Sequence, residues 1–302
     1  MKVTARPSFI VVAAGTEVIQ VLHDADFHNE TPSCKQEFHK ALISPKCATN
    51  SCARRVTDGL FTDADIRTLH TIADKGMIQR PALGDPKILD INTGYIRDSV
   101  GLENLFLRPD GIYSAEDFSH YGGIIKRLKD LVIETFSISD LFFTAPTFIT
   151  RLDGNSSWTP VGVHDEYWHP HVDGENTQHY HYSGLLYMST YNVDFTGGLF
   201  HFMDESRSAI QQTVEPKAGR VVIFSSGQEN PHYVDRVLSG NRYVLAFWFT
   251  CNPDRQFEIF LDGKSHTVFS NTFAERLKIQ SDHYKKEKKR REKREVEEEN
   301  RE

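Results

Sequence analysis

The sequence predicts a mainly β protein, a sandwich or barrel of short strands carried on a helical buttress. Three observations predict it. From Pro146 onward short β-type runs recur between turn clusters such as Thr196-Gly-Gly198, Pro216-Lys-Ala-Gly219 and Ser239-Gly-Asn241. Ahead of them lie two segments whose apolar residues repeat at helical spacing. The aromatic share of 11% leans the same way, towards β structure.

Taken in order, residues 1–57 read as an irregular segment punctuated by Asn29, Thr31, Pro32, Ser44, Pro45 and Asn50. It carries Cys34, Cys47 and Cys52, and one disulfide among these three is expected if the compartment is oxidising. Residues 58–143 form a helical support region. Its first helix opens on a capping box, Thr62 with Asp65, continues through Ile66, Leu69, Ile72 and Ala73, and stops at Gly76. Its second opens on Ser114 with Asp117. It then shows Phe118, Tyr121, Ile125, Leu128, Val132 and Phe136 on one face. A helix of that length with one apolar face must cover something flat, and a sheet is the natural candidate.

Residues 144–255 form the β core, with runs over Phe148–Leu152, Tyr182–Tyr191, Gly198–Phe202, Arg220–Ser225 and Arg242–Thr250. A C-terminal extension, 256–283, and a charged tail, 284–302, follow. The tail is basic over Lys285 to Arg294 and acidic after it, and it has no face to bury.

Net charge is −7 and no aromatic residues interleave the basic run, so nucleic acid is not an expected partner. No stretch approaches the roughly 18 apolar residues of a membrane helix. The apolar run Phe9 to Gly15 fits the outline of a secretory signal and an ordinary first strand equally well. Two glycosylation sequons, Asn29-Glu-Thr31 and Asn155-Ser-Ser157, point with the cysteines to the secretory pathway.

The chemistry concentrates where histidine does. His164, His169, His171, His179 and His181 lie within eighteen residues. In a strand, positions i and i+2 point to one side, so His171-Val-Asp173 aims an imidazole and a carboxylate at one point. Neutral nitrogen with hard oxygen suits Fe(II), and His232, 61 residues further on, completes a facial triad with open positions. Arg242 follows ten residues later at a strand start, sharing a face with Val244, Ala246 and Trp248. A guanidinium on so apolar a strand needs an anion. The free end of a dicarboxylate would fit it bidentately, and a 2-oxo acid group at its other end could chelate the iron. A salt bridge from Arg242 to Asp235 is the structural alternative. His164, Tyr167, Trp168 and His169, just upstream, are expected to orient a ligand imidazole, to form a substrate wall, or simply to pack. His179 and His181 read as loop residues, and Gly197 and Gly198 as turn formers.

These residues stand in longer motifs. H-P-H-V-D at 169–173, the run G-L-L-Y-M-S-T-Y-N-V-D-F-T-G-G-L-F-H-F at 184–202, P-K-A-G-R-V-V-I-F-S-S before P-H-Y-V, and S-G-N-R-Y-V-L-A-F-W-F resemble the prolyl 4-hydroxylase-like branch of the Fe(II)/2-oxoglutarate dioxygenases. H-D-E-Y-W-H at 164–169, with C-A-R-R-V-T-D and P-T-F-I-T-R, is similar to the 2-oxoglutarate and iron-dependent oxygenase domain-containing protein 3 group. The resemblance spans roughly residues 47–255. It implies a double-stranded β-helix, or jelly roll, with iron at its open end and Tyr187 as a second contact to 2-oxoglutarate. A packing role for Tyr187 is the alternative.

It further implies dioxygen as co-substrate, hydroxylation of a peptide or protein side chain (prolyl or lysyl), release of succinate and CO2, and L-ascorbate as a supporting reductant. A lumenal domain behind a single N-terminal membrane helix is also implied, although no such helix is visible before residue 47. Two other readings compete: a catalytically silent jelly-roll binding module, and a cupin-type metal enzyme that would have no use for Arg242.

Overall fold

Thr62 and Ser114 start the two helices the sequence marks. Each side chain accepts the N–H three residues on, and Asp65 and Asp117 return a bond to the cap N–H. The protein is described from a computed structural model over residues 21–22, 47, 52–108, 111–144, 147–160 and 166–255. His164, Asp165, Cys34, the Asn29 sequon and the two C-terminal segments lie outside the described residues. In chain order, the first half contains β1 (Val21–Leu22), β2 (Arg54–Thr57), α1 (Asp63–Met77), β3 (Pro86–Asp90), β4 (Tyr95–Asp98), β5 (Gly101–Asn104) and α2 (Ala115–Phe136). β6 (Phe142–Phe143), β7 (Phe148–Asp153), the single-turn α3 (Asp173–Asn176), β8 (Tyr182–Tyr187), β9 (Phe195–Gly197) and β10 (Phe200–Met203) follow. The last four strands are β11 (Ile210–Val214), β12 (Val221–Ser225), β13 (His232–Val234) and β14 (Val237–Thr250).

Alternation along β14 organises the layers. Tyr243, Leu245, Phe247 and Phe249 point to a core shared with α1 and α2, where Leu69, Ile72, Ile125, Leu128 and Val132 are buried. Each fully buried aliphatic or aromatic side chain there contributes roughly 1.5–3 kcal/mol, so the amphipathic face of α2 makes that helix a firm backing. Val244, on the opposite face, joins a second core with Tyr187, Val222, Phe224, Phe200, Phe202 and Val214. The large sheet runs β2-β12-β8-β14-β7-β3-β4-β5, and the small one β1-β11-β10-β13. Two β layers with helices on one outer face make the jelly roll with helical buttress that the sequence predicts.

Two sequence expectations are corrected. Residues 58–143 are not only helical: β3, β4 and β5 form an antiparallel meander that extends the large sheet beyond β7. Their runs are short and broken by Asp and Gly, which hid them. The segment read as irregular up to residue 57 ends in β2, an edge strand paired with β12. Cys47 pairs with Cys251 just after β14, across a separation of 204 residues. Cys52 is also disulfide-bonded. No helix among the described residues is long and apolar enough to cross a membrane.

Candidate metal centre

His171, Asp173 and His232 come together. One ligand atom from each lies within 4.8 Å of the others, with His171 Nε2 3.7 Å from Asp173 Oδ1 and His232 Nε2 3.8 Å from Asp173 Oδ2. Their local backbone differs from the strand expected. His171 forms an isolated antiparallel bridge with His232, Val172 is extended (φ −122°, ψ 126°), and Asp173 opens α3. The i, i+2 geometry therefore survives for one step, and the helical turn then carries the chain away. The turn is tied down by the Gly174 N–H donating to the Ser226 carbonyl at 2.9 Å.

The two imidazoles are oriented from behind. His171 Nδ1 is 3.1 Å from the His169 carbonyl and His232 Nδ1 3.0 Å from the Asn230 carbonyl. Each Nδ1–H donates there, which leaves each Nε2 as a lone-pair donor facing Asp173. Burial, aided by the nearby His171 and Arg54 and opposed by Asp173, brings His232 down to about 4, so its ring is neutral at neutral pH. Phe200, Phe202 and Phe224 surround it, with ring centroids 5.2, 6.4 and 4.9 Å away.

Arg242 is fully enclosed in the middle of β14, not at its start, because the strand begins at Val237. Its Nε donates to the Gly198 carbonyl at 2.9 Å, and its guanidinium lies 5.3 Å from the Tyr187 ring centroid. The salt bridge to Asp235 does not form; Asp235 accepts from His201 at 2.9 Å instead. Arg242 Nη2 and Tyr187 OH are both buried without a hydrogen-bond partner. Burial pulls Arg242 below the usual arginine range, with Tyr187 and Tyr167 opposing it. Burial also pushes the Tyr187 phenol up to about 12 against the pull of Arg242 and Arg220. Two such polar atoms side by side fit a carboxylate, which would accept from both.

The register puts these groups on one face of the large sheet. Val244 pairs with Tyr187 and Thr150, Ala246 with Leu185 and Phe148, and Trp248 with Ser183. On that face Tyr187 and Val244 pack with Phe200, Phe202 and Val214 of the small sheet. Phe148, Thr150, Leu185 and Trp248 are only half-buried, and Tyr180 stacks on Trp248 at 5.3 Å.

Tyr167, Trp168 and His169 each contact neighbouring parts of the fold. Tyr167 OH accepts the Val237 N–H at 3.0 Å, and Trp168 packs edge-on to Trp158 with the Arg236 guanidinium 5.1 Å from its ring. The His169 ring contacts the Glu166 carbonyl, while its own carbonyl orients His171. His181 lies in the loop just ahead of β8, buried, and its Nδ1 accepts the Cys251 N–H at 3.0 Å. Gly197 and Gly198 have φ of +71° and +66°, as turn formers do. Sequence reasoning missed the Gly198 and Asn230 carbonyls, which are main-chain contacts with no signature in residue type.

Residues 160–250 match the model of the 2OG-Fe(II) oxygenase superfamily. The chain is 38% identical over 231 residues to 2-oxoglutarate and iron-dependent oxygenase domain-containing protein 3 of Mus musculus, covering 74% of this chain and 71% of that protein. It is 49% identical over 72 residues to prolyl 3-hydroxylase 2 of Gallus gallus, covering 24% of this chain and 10% of that one. Among solved structures, an oxidoreductase of the 2OG-Fe(II) oxygenase family from Burkholderia pseudomallei is similar with a TM-score of 0.45 and 15% identity, covering 78% of this chain and 99% of that chain. The sequence match over most of both chains, together with the His-Asp-His triad, places this protein in the family of iron- and 2-oxoglutarate-dependent oxygenases, and it is an oxidoreductase of that family.

Proposed function

We propose that this chain hydroxylates a peptidyl side chain, prolyl or lysyl, consuming dioxygen and 2-oxoglutarate and releasing succinate and CO2. In this reading His171, Asp173 and His232 hold Fe(II), and Arg242 with Tyr187 holds the far carboxylate of 2-oxoglutarate. The observation that carries it is the pair of buried polar atoms without a hydrogen-bond partner, Arg242 Nη2 and Tyr187 OH. A protein that only kept the fold would have no reason to bury them unpaired. A cupin-type enzyme without 2-oxoglutarate would not use them.

When bound, iron and 2-oxoglutarate supply the oxidising chemistry. The chain's own residues orient and exclude. The His169 and Asn230 carbonyls hold the imidazole tautomers, and the phenylalanines around His232 keep water from the buried side of the triad. Arg242, locked by the Gly198 carbonyl, fixes the co-substrate's far end. The half-buried wall of Phe148, Leu185, Trp248 and Tyr180 is the natural bed for a substrate side chain, and its rings suit a prolyl ring. The likeness to prolyl 3-hydroxylase 2 supports the same substrate class.

L-ascorbate is the reductant we expect to sustain turnover. The Cys47–Cys251 disulfide and the Asn155 sequon, whose Ser156 and Ser157 are exposed, support a secretory compartment. The test is succinate formation after anaerobic Fe(II) loading and exposure to dioxygen, with and without a peptide library. Succinate from wild type but not from His171→Ala supports the reading. No succinate from wild type under either condition, or an undiminished rate from His171→Ala, overturns it.

A further inference from the structure

His232 can present Nε2 to a metal only if its Nδ1–H has a fixed acceptor. That acceptor is the main-chain carbonyl of Asn230, in the loop between β12 and β13. No strand ladder sets the position of a loop carbonyl. Something else must hold it.

The Asn230 side chain is that tether. Its Nδ2 donates to the Ser225 carbonyl at 2.7 Å and to Ser225 Oγ at 3.0 Å, which anchors it to the end of β12. Its Oδ1 accepts from Arg54 Nε at 2.6 Å. Arg54 Nη2 reaches the next residue back, donating to the Glu229 carbonyl at 2.9 Å, and also donates to Gln211 Oε1 on β11 at 3.1 Å. The guanidinium lies 4.3 Å from the Phe202 ring centroid, and Phe202 is the β10 residue paired with His232. Arg54 thus grips two consecutive residues of the loop and leans on the strand against which His232 lies. It reaches there because β2 pairs with β12 in a register that sets Arg54 opposite Phe224, whose ring also packs on His232.

We infer that Arg54, from a strand outside the family-matched residues 160–250, is a positioning residue for His232: through Asn230 it sets the direction in which that imidazole meets the metal. The inference rests on the reading of His171, Asp173 and His232 as the metal centre. The planar fork of arginine is needed because three acceptors on two elements must be met at once, which a lysine ammonium on its flexible stem does not reproduce. Arg55, next in the strand, points to the other face and donates to Thr135 Oγ1 on α2 at 2.6 Å. It offers a control on the same strand, since its loss weakens the seating of β2 without touching the loop.

The experiment titrates Co(II) anaerobically into wild type, Arg54→Met, Arg54→Lys and Arg55→Met. Calorimetry reads affinity, visible absorption reads coordination geometry, and thermal melts check folding. The expected result is Co(II) binding about tenfold to a hundredfold weaker in Arg54→Met, the usual effect of losing a partner behind a ligand histidine. Its visible band should be altered, Arg54→Lys should recover only part, and Arg55→Met should bind as wild type does. Should Arg54→Met fail to fold, Asn230→Ala severs the same link and is expected to lose at least tenfold. The inference is overturned if Arg54→Met and Arg54→Lys, or Asn230→Ala in their place, bind within about twofold of wild type with an unchanged spectrum. It is equally overturned if Arg55→Met loses as much as Arg54→Met. Wild type that binds no Co(II) overturns the metal-centre reading itself, a separate and recognisable result.

Discussion

His171 and His232 exchange both of their main-chain hydrogen bonds, each N–H donating to the other's carbonyl at 2.9 Å. Antiparallel residues paired in this way present their side chains on the same side, and the two rings sit with centroids 4.4 Å apart. Two positions far apart in the chain are thereby brought to one point by backbone geometry. Asp173 is added from the following turn. Ligands preset in this manner lose little conformational freedom when a cation arrives, which favours binding.

Arg242→Ala should raise the 2-oxoglutarate concentration needed for half-maximal succinate formation by about tenfold to a hundredfold. That corresponds to the roughly 1.5–3 kcal/mol of a hydrogen bond to a charged group. An unchanged requirement would remove Arg242 from the co-substrate site.

Tyr187→Phe should move stability and binding in opposite directions. The buried hydroxyl has no partner in the protein, so losing it should leave the ligand-free melting temperature equal or higher. Affinity for 2-oxoglutarate should fall by about fivefold or more, the value of roughly 1 kcal/mol for one hydrogen bond. A packing tyrosine would show neither the gain nor the loss, and thermal melts with and without 2-oxoglutarate separate the two.

Gly198→Ala should damage the same site from behind. Gly198 sits at φ +66°, and a Cβ there would lie 2.9 Å from Arg242 Cδ. The left-handed backbone alone costs roughly 1–2 kcal/mol for a residue with a Cβ. A lower urea midpoint together with weaker 2-oxoglutarate binding is expected, because Arg242 must shift from the carbonyl that anchors it. Wild-type 2-oxoglutarate affinity in this variant would show that the anchor is dispensable.

Cys251→Ser should lower stability by about 2–5 kcal/mol, as loss of a native disulfide does. Cys47 and Cys251 are both fully buried, and the bond ties the segment before β2 to the end of β14. Reductant should lower the urea midpoint of wild type by more than that of the variant. Equal shifts would assign the redox sensitivity to another disulfide.

Arg220→Met tests a buried cation paired bidentately with Asp58, at 2.8 and 2.9 Å. Burial alone would raise the Asp58 carboxyl, but Arg220 and Lys217 reverse that and bring it to about 2. A carboxyl lowered in the folded state contributes stability that is present above about pH 4 and lost as pH falls through 2. The variant should therefore be less stable by about 3 kcal/mol at pH 7, the low end for breaking a buried pair because Asp58 is partly exposed. The difference should shrink between pH 4 and pH 2. A pH-independent difference in denaturation midpoint would mean that packing, not charge, is what Arg220 supplies.

The helices were readable because their signals are local. Thr62, Asp65, Ser114 and Asp117 are capping residues three apart, and the stripe on α2 needs only a period of 3.6. The long strands were readable for the same reason, since alternation along β14 sorts Tyr243 and Leu245 from Val244 and Ala246 with no knowledge of partners. The meander β3–β5 was not, because Asp90, Asn92 and Gly94 interrupt it and its pairing with β7 is what makes it a sheet. His171, Asp173 and His232, which the fold gathers into one cluster, stand in the sequence as ligand types at telling intervals.

What local pattern determined here is the two helices, the long strands and which residue types could hold a metal, because propensity, capping and ligand preference belong to individual residues and their near neighbours. Tertiary structure decided the rest. It bonded Cys47 to Cys251, gave Asp235 to His201 rather than to Arg242, and left Arg242 Nη2 beside Tyr187 OH without a partner. It also brought Arg54 from the N-terminal edge strand to the loop behind His232. Each of these is a choice among distant partners. Such choices are made by strand register and by the cost of burying unpaired charge, neither of which exists until the sheets close.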